Sequence, residues 1–287
     1  MKSYIGIDLG GTSVKGGRIK ANSLEASGIS PIPPNENTNE IFERICSLID
    51  TLWCNKIAGI GVAVPALIDF ETGTIYGLSN IKQLNGFPIQ AALQDKYKVP
   101  VKLQNDANCF VLGEKHFGHA KEYQNIVGLI TGTGVGSGII INNELYNGTN
   151  MGAGEFGMIP YKDDCFESYC SGKFFMNQYQ TAGEKLCNLA SAGNKNALKA
   201  FHNYGQHMGE LIKLICYTLD PQAIIIGGSV VNAFDLYRSS MEESLESFFF
   251  QPKLKTKIIA SRLNQIAIYG AASLFFENKA FHGESLK

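Results

Sequence analysis

The chain has 287 residues, and its 25 lysines and arginines nearly balance its 26 aspartates and glutamates, giving a formal net charge of −1. This balance argues against a nucleic-acid-binding surface, because such domains carry a clustered excess of lysine and arginine. With 45% hydrophobic residues, 18% charged residues and 31 glycines, the composition is typical of a globular α/β protein with about two domains.

The cysteines and the N-terminal residues predict the compartment. Seven cysteines are an odd number, and most stand among apolar neighbours. This favours reduced thiols in the cytosol over a disulfide framework. Asp8 interrupts the first apolar run and no small-residue cleavage site follows, so a signal peptide is not expected. No apolar stretch is long enough to span a membrane. We therefore expect a cytoplasmic protein with no membrane partner.

The first dozen residues predict a strand that ends in a glycine turn. Apolar residues alternate over Ile5–Leu9, and Gly10-Gly11 follow. We expect the two glycines to permit backbone angles that other residues resist. The turn's N–H groups and the hydroxyls of Thr12-Ser13 could hydrogen-bond phosphate oxygens, and Asp8 could orient a hydrated Mg²⁺. Taken alone, the segment is more typical of an ordinary hairpin, because glycine turns after strands are common.

Hydrophobic periodicity and turn residues predict the remaining elements. In chain order these are strands over 14–19 and 21–29, a helix over 36–52, strands over 57–64 and 100–104, a helix over 107–117, strands over 125–131 and 137–142, helices from 174 to 220, a strand over 222–226, a helix over 233–248, a strand over 257–260 and a helix over 266–277. The segment 77–88 has too little periodicity for an element, and we expect a loop there. Its amides, Asn80 and Asn85, could bind ligand hydroxyls, although a solvated connector is the default interpretation.

Asn105-Asp106 mark the end of one predicted strand and the start of a helix. Asp106 has two interpretations. As a structural residue it would cap the helix, a contribution of about 1 kcal/mol. As a functional residue it would be a general base held rigidly at the mouth of a cleft. Capping is the commoner role for an isolated aspartate.

The second half of the chain repeats the pattern of the first. The segment Gly132–Gly138 again predicts a glycine turn between two strands, so we expect an internal duplication that begins near residue 120. Further glycines occur over Gly152–Gly157, around Glu155, and at Gly227-Gly228 after a strand. Several glycine-punctuated strand ends in one chain suggest two halves that face a nucleotide.

Five of these segments, in this order, resemble the ROK-family sugar kinases: Asp8–Lys15, Asn105–Asn108, Gly132–Gly138, Gly154–Gly157 and Gly227-Gly228. Each motif is weak alone, but five in order over nearly the whole chain make a specific signal. The family belongs to the superfold of sugar kinases, actin and heat-shock chaperone ATPases. The resemblance implies an α/β fold of two ribonuclease-H-like lobes with an interlobe cleft. The first lobe would be 1–118 with a C-terminal helix at about 266–287, and the second would be 119–265.

The resemblance also implies roles for individual residues. ATP would be contacted by Asp8, Gly10, Gly11, Thr12 and Lys15 from the first lobe, and by Gly132, Thr133, Gly134, Gly227 and Gly228 from the second. Asp8 would hold Mg²⁺ through water or phosphate. The sugar would be bound by Asn80, Asn105, Asp106, Glu155 and Glu167.

The expected activity is ATP-dependent phosphorylation of a hexose or N-acetylhexosamine, at the 6-hydroxyl, with Asp106 as general base. Phosphoryl transfer needs mostly positioning and charge neutralisation, which glycine turns, one metal ion and one carboxylate supply. The resemblance implies a homodimer. Some ROK members are DNA-binding repressors with an N-terminal helix-turn-helix domain. Because this chain begins at the phosphate strand and has no basic surplus, we do not expect repression. A catalytically silent sugar-binding regulator stays open as the alternative.

The chain departs from the family at its structural zinc site. Most members place a histidine after the Gly-Glu-x-Gly motif and supply further ligands from a cysteine cluster. Here the histidine position holds Met158, and only Cys165 and Cys170 follow. Two thiols without a nearby histidine do not make a tetrahedral set, so we expect no zinc. The five histidines show no ligand spacing, and we expect them on helix surfaces or in loops. Met158 leaves the identity of the sugar open, because the missing histidine contacts the sugar in the family.

Overall fold

The computed structural model describes residues 1–21, 23–78, 81–249 and 254–276. They divide into two compact units. Unit 1 comprises the described residues of Met1–Lys121 and Asn264–Lys287, and unit 2 those of Glu122–Leu263. The chain therefore leaves unit 1 and returns to it after unit 2.

The strands are β1 (Ser3–Leu9), β2 (Ser13–Lys20), β3 (Ser23–Pro31), β4 (Ile57–Val64), β5 (Leu67–Asp69), β6 (Thr74–Tyr76), β7 (Val101–Asn105), β8 (Ile126–Thr131), β9 (Val135–Ile141), β10 (Glu144–Leu145), β11 (Pro160–Tyr161), β12 (Asp164–Cys165), β13 (Ala223–Gly227) and β14 (Lys257–Ala260). The α-helices are α1 (Thr38–Leu52), α2 (Ile89–Tyr97), α3 (Asp106–His116), α4 (Phe166–Cys170), α5 (Lys173–Tyr179), α6 (Gly183–Ser191), α7 (Lys195–Leu219), α8 (Phe234–Leu245) and α9 (Ile266–Ser273). None of the helices in these ranges combines the length and the hydrophobicity needed to cross a membrane.

Unit 1 is built on a five-stranded sheet in the order β3-β2-β1-β4-β7. The pairs β1–β2 and β2–β3 are antiparallel, whereas β1–β4 and β4–β7 are parallel. Ile5, Ile7 and Leu9 on β1 are fully buried, as their alternation predicts. Because the three parallel strands run in one direction, their carboxyl ends lie at one edge of the sheet. Asp8 and Asn105 lie at this edge.

Glycines allow α9 to pack directly on the unit 1 sheet. A Cβ atom on Gly61 of β4 would lie 1.8 Å from the carbonyl oxygen of Ala271, and one on Gly6 of β1 would lie 2.0 Å from that of Ile268. Neither position can hold a side chain without moving the helix. The backbone of α9 therefore lies directly on β1 and β4.

Unit 2 repeats the sheet topology of unit 1. Its strand order is β10-β9-β8-β13-β14, with β8–β9 and β9–β10 antiparallel and β8–β13 and β13–β14 parallel. Strand for strand this is the order of unit 1, which confirms the predicted internal duplication. The glycine turn is shorter than predicted, because β9 already begins at Val135.

Several elements differ from the sequence predictions. The hairpin β5–β6 and the short helix α4 are unpredicted, since three to five residues are too few for a periodicity to show. Helix α2 is also unpredicted, because it buries only Ile89 and Leu93. The predicted helix 233–248 is shorter, with a 3₁₀ turn at Ser229–Ala233 before α8. The C-terminal helix ends at Ser273 rather than 277, a residue outside the described ranges.

Candidate functional site

The unit 1 sheet brings two of the predicted aspartates to one edge. Asp8 is the penultimate residue of β1 and lies beside Ala63 of β4, and the next residue of β4 pairs with Asn105 of β7. Asp106 then begins α3. The thiol of Cys109, buried one turn further along α3, has its pKa raised by burial, then by the charges of Asp106 and Asp8. Both carboxylates therefore lie near the same thiol.

Asp8 is a partly buried carboxylate that lies across the β1–β2 pair from Lys15. Burial raises its pKa, and the charge of Lys15, its cross-strand neighbour on β2, lowers it. Carboxylate oxygen suits Mg²⁺, which usually keeps several waters and takes few protein ligands. No three histidine, cysteine, aspartate or glutamate side chains in the described ranges are grouped as a metal site. A Mg²⁺ ion at Asp8 would therefore take its other ligands from phosphate oxygens and water.

The turn after β1 is tight, although Gly10 does not use the left-handed backbone angles expected of it. The N–H of Gly10 donates to the carbonyl oxygen of Ser13 at 2.9 Å. A Cβ atom on Gly10 would lie 3.1 Å from that oxygen, a tight contact that a small shift of the turn would relieve. Thr12 is exposed beyond the turn, and Lys15 is exposed on β2.

Asn105, not Asp106, caps helix α3. The side-chain oxygen of Asn105 accepts the N–H of Ala107 at 2.9 Å, and its amide nitrogen lies 3.5 Å from the carbonyl oxygen of Ala66. Asp106 is the first residue of the helix, and its Oδ1 also lies 2.9 Å from the N–H of Ala107. The structural interpretation of Asp106 as the cap is therefore wrong. Asn80, the remaining predicted sugar ligand of unit 1, lies outside the described residues.

The two predicted nucleotide segments of unit 2 lie side by side. Strands β8 and β13 are parallel neighbours, and the hydroxyl of Thr131 donates to the carbonyl oxygen of Gly227 at 3.3 Å. Gly228 has φ +88°, and a Cβ there would lie 2.3 Å from the carbonyl oxygen of Thr131. Only glycine fits such a position. Gly132 lies against Ser229, with its Cβ position 3.4 Å from the hydroxyl.

Glu167 lies directly on the second glycine turn. Its Oε2 accepts the N–H of Val135 at 3.1 Å and lies 2.6 Å from where a Cβ of Gly134 would be. Its Oε1 pairs with the ammonium of Lys173 at 2.5 Å. Thr133, in the same turn, is exposed. The sequence predictions did not include Lys173, and no motif or periodicity signals a lysine six residues after a carboxylate.

Glu155 lies near Glu167 but is held differently. It follows Gly154, whose φ is +94° and whose carbonyl oxygen accepts the hydroxyl of Ser137 on β9. Burial by the surrounding protein raises the pKa of Glu155, and the charge of Glu167 adds to the rise. Within the described ranges its carboxylate has no hydrogen-bond donor, and the side chain, although partly surrounded by protein, still reaches solvent. Unit 2 thus places two carboxylates together, one tied to protein donors and one open to a ligand.

The residues at the family's zinc position do not fit a zinc ion. Met158 is 61% exposed, Cys165 is half-buried and Cys170 is fully buried. A thioether in solvent and a thiol whose pKa is raised by burial are poor zinc ligands. The absence of zinc itself stays a prediction, which metal analysis of purified protein tests.

Aromatic packing fills this region instead. Tyr161 stacks on Phe166 with ring centroids 4.2 Å apart, and its hydroxyl lies 3.1 Å from Nδ1 of His207. Tyr169 meets His207 edge to face at 4.9 Å. His207 is only 9% exposed, so the expectation of a surface or loop histidine is wrong here. The rings fix the hairpin β11–β12 to α4 and α7.

Three comparisons place the chain among known proteins. The xylose repressor of Bacillus subtilis (strain 168) is 33% identical over 207 residues, 67% of this chain and 53% of the repressor. This chain therefore spans about half the length of that relative. The N-acetyl-D-glucosamine kinase of Yersinia pseudotuberculosis serotype O:1b (strain IP 31758) is 26% identical over 264 residues, 82% of this chain and 86% of the kinase.

A solved structure has the same fold. The ROK family glucokinase of Streptomyces griseus, crystallised with glucose and AMPPNP, superposes with a TM-score of 0.79 at 24% identity, over 95% of this chain and 98% of the glucokinase. The α/β fold is therefore that of the ROK sugar kinases, which is the actin-like ATPase fold. The model of the ROK family matches residues 4–278. With nearly the whole chain matched, this protein belongs to the ROK family.

Proposed function

We propose that the protein transfers the γ-phosphate of ATP to the 6-hydroxyl of a hexose or an N-acetylhexosamine. The observation that carries this proposal is the pair Asp8 and Asp106. The two residues lie at one edge of the unit 1 sheet, and the charges of both raise the pKa of the buried Cys109 thiol. A metal-holding carboxylate near a potential base is what phosphoryl transfer to an alcohol requires. The likeness to N-acetyl-D-glucosamine kinase, 26% identical, supports a sugar as the acceptor.

The glycine turns would bind the nucleotide. In unit 1 the phosphates would be contacted by Gly10, Gly11, Thr12 and Lys15, and in unit 2 by Gly132, Thr133 and Gly134. Gly227 and Gly228 would face the adenosine. The contacts of Gly228 with Thr131 support this assignment, because they hold the two unit 2 segments at neighbouring strand ends. Bound Mg²⁺ would neutralise phosphate charge, with Asp8 holding it through water or phosphate.

Asp106 would be the general base. As the sugar oxygen forms its bond to the γ-phosphorus, the bond from that phosphorus to the ADP oxygen breaks, and the Asp106 carboxylate takes the hydroxyl proton. The capping role of Asn105 supports this assignment, because helix α3 already has a cap in the neighbouring residue. Asn80, Asn105, Glu155 and Glu167 would bind the sugar with Asp106.

The test is ADP release, in a coupled assay, over glucose, mannose, fructose, allose, N-acetylglucosamine and N-acetylmannosamine. We expect wild type to turn over at least one of them. Asp106→Asn should lose roughly 100-fold to 10,000-fold in turnover, the usual contribution of general-base catalysis, while sugar binding stays measurable. Asp95→Asn is the matched control, since Asp95 is exposed on α2 and, among the described residues, forms its ion pair with exposed Lys98. Turnover by Asp106→Asn within a few fold of wild type would remove the role of base.

The alternative is a sugar-binding regulator without catalytic activity. The likeness to the xylose repressor of Bacillus subtilis, at 33% identity, favours it. The same sugars, with xylose added, distinguish the two by calorimetry beside the ADP assay. The regulator is the correct account if one sugar binds but no ADP is formed from ATP and Mg²⁺ with that sugar or with any other.

A further inference from the structure

The segment 167–173 holds the second glycine turn of unit 2 at two points. The N–H of Gly172 donates to the carbonyl oxygen of Gly132 at 2.7 Å, and the carboxylate of Glu167 accepts the N–H of Val135 at 3.1 Å. We call residues 132–135 the glycine loop. Each end of this loop thus has its own hydrogen bond to one short segment of chain.

A carboxylate so close to a loop that binds phosphate is electrostatically unfavourable unless its charge is neutralised. Glu167 Oε2 lies 2.6 Å from the Cβ position of Gly134, at the centre of the loop. Like charges a few ångströms apart near a protein surface repel each other, although salt weakens the repulsion between exposed pairs. Glu167 therefore needs a cation beside it if the glycine loop is to attract anions.

Lys173 supplies that cation. The Lys173 ammonium lies 2.5 Å from Oε1 of Glu167, and the backbone N–H of Lys173 donates to the hydroxyl of Ser171 at 3.2 Å. The Lys173 side chain is 48% exposed and that of Glu167 is 22% exposed. An exposed ion pair contributes little stability by itself. Here one partner is also bonded to the loop backbone, so the pair sets both the position and the net charge of the carboxylate.

We propose that Lys173 is a positioning residue for nucleotide binding. Through Glu167 it holds the glycine loop in place, and it neutralises the negative charge of the Glu167 carboxylate beside that loop. This inference rests on the proposed function, in which the loop contacts nucleotide phosphates. A preformed, electrically neutral loop binds phosphate without the cost of ordering it first.

The competing account gives Glu167 a role in sugar binding alone. Under that account, neutralising Glu167 raises the KM for the sugar and leaves nucleotide affinity unchanged, and removing Lys173 has no effect on the nucleotide. Our proposal predicts instead that removing Lys173 weakens the binding of the nucleotide. It also predicts that removing both charges is less harmful than removing Lys173 alone.

The experiment is calorimetric titration of the full-length protein with Mg²⁺ and AMPPNP, without sugar. We expect Lys173→Met to weaken binding about tenfold or more, Lys173→Arg to bind within about twofold of wild type, and Glu167→Gln combined with Lys173→Met to recover part of the loss. Lys185→Met, at an exposed lysine of α6, is the matched control. Lys173→Gln replaces Lys173→Met if circular dichroism shows the latter unfolded.

The outcomes separate this inference from the proposed function. If wild type binds no nucleotide, the proposed function fails and the inference with it. If wild type binds and Lys173→Met binds equally well, only the inference is overturned. A double variant as weak as Lys173→Met alone would also overturn it, because lost packing and not uncompensated charge would then explain the effect.

Discussion

At the residue scale, similar side chains have different surroundings in this fold. Asn105 and Asp106 are adjacent, yet Asn105 caps the helix and Asp106 begins it. Glu155 and Glu167 are neighbours, yet only Glu167 has protein donors on both carboxylate oxygens. A sequence motif specifies the side chain, whereas its partners decide whether its oxygens are available to a ligand.

His207 gives a residue-scale prediction for stability against pH. Burial and the charge of Lys162 lower the pKa of His207 from its ordinary value of 6.5 to about 4, although the charge of Glu210 raises it in part. Between these values the unfolded chain binds a proton that the folded chain does not, so stability falls as pH drops from 6.5 to 4. The loss is on the order of 3 kcal/mol.

The measurement is urea denaturation of wild type and His207→Gln across this pH range. The glutamine side chain can still bond to the Tyr161 hydroxyl but does not titrate. We expect the free energy of unfolding of wild type, relative to the variant, to fall as the pH is lowered and to level off below about pH 4. A difference between the two proteins that does not change with pH would show that His207 is not the group responsible.

At the element scale, α9 depends on the absence of side chains on the strands beneath it. The carbonyl oxygens of Ala271 and Ile268 occupy the space that Cβ atoms of Gly61 and Gly6 would need. Helix α9 also packs closely on α3, because a Cβ atom on Gly270 of α9 would lie 1.6 Å from the carbonyl oxygen of Cys109 on α3. Close backbone-to-backbone contacts of this kind fix the last described helix in unit 1.

Gly61→Ala should therefore destabilise unit 1. The added methyl group would lie 1.8 Å from the carbonyl oxygen of Ala271, so helix and strand must separate. Overpacking of this kind costs roughly 1–3 kcal/mol, measurable as a lower denaturation midpoint. Gly152→Ala is the control, because a Cβ there meets nothing within 4 Å. Equal stability of the two variants would mean that α9 adjusts without loss.

The elements that the sequence predicts well are those with long, regular patterns. Strands β4 and β14 begin and end where predicted, and β8 begins one residue later than predicted, because each is a largely apolar run bounded by turn residues. Helix α2 and hairpin β5–β6 are too short or too weakly amphipathic to be predicted. The ion pair of Glu167 with Lys173 and the contact of Gly61 with α9 depend on tertiary packing, which no local pattern encodes.

At the scale of the whole molecule, two units with one strand order account for the recurring glycine motifs. In each unit a strand, a glycine turn and a second strand form the antiparallel half of the sheet, and parallel strands complete it. The turn motifs of β1 and β8 therefore occupy equivalent places in their own sheets. The repeat could be predicted from the sequence because the motif itself recurs. The strand orders could not, because they depend on pairings between distant segments.

Membership of the ROK family does not by itself identify the substrate. Family membership follows from a match over residues 4–278, but relatives in the family include both a xylose repressor and an N-acetyl-D-glucosamine kinase. Phosphoryl transfer is therefore the property that has to be measured directly on this chain.

The most direct measurement is phosphorus NMR of the wild-type protein incubated with ATP, Mg²⁺ and each sugar of the panel. The account predicts that, for at least one sugar, the γ-phosphate signal of ATP is replaced by that of a sugar 6-phosphate, in step with ADP, and that Asp106→Asn forms almost none. Inorganic phosphate as the only product, or no loss of ATP with any sugar, would contradict it.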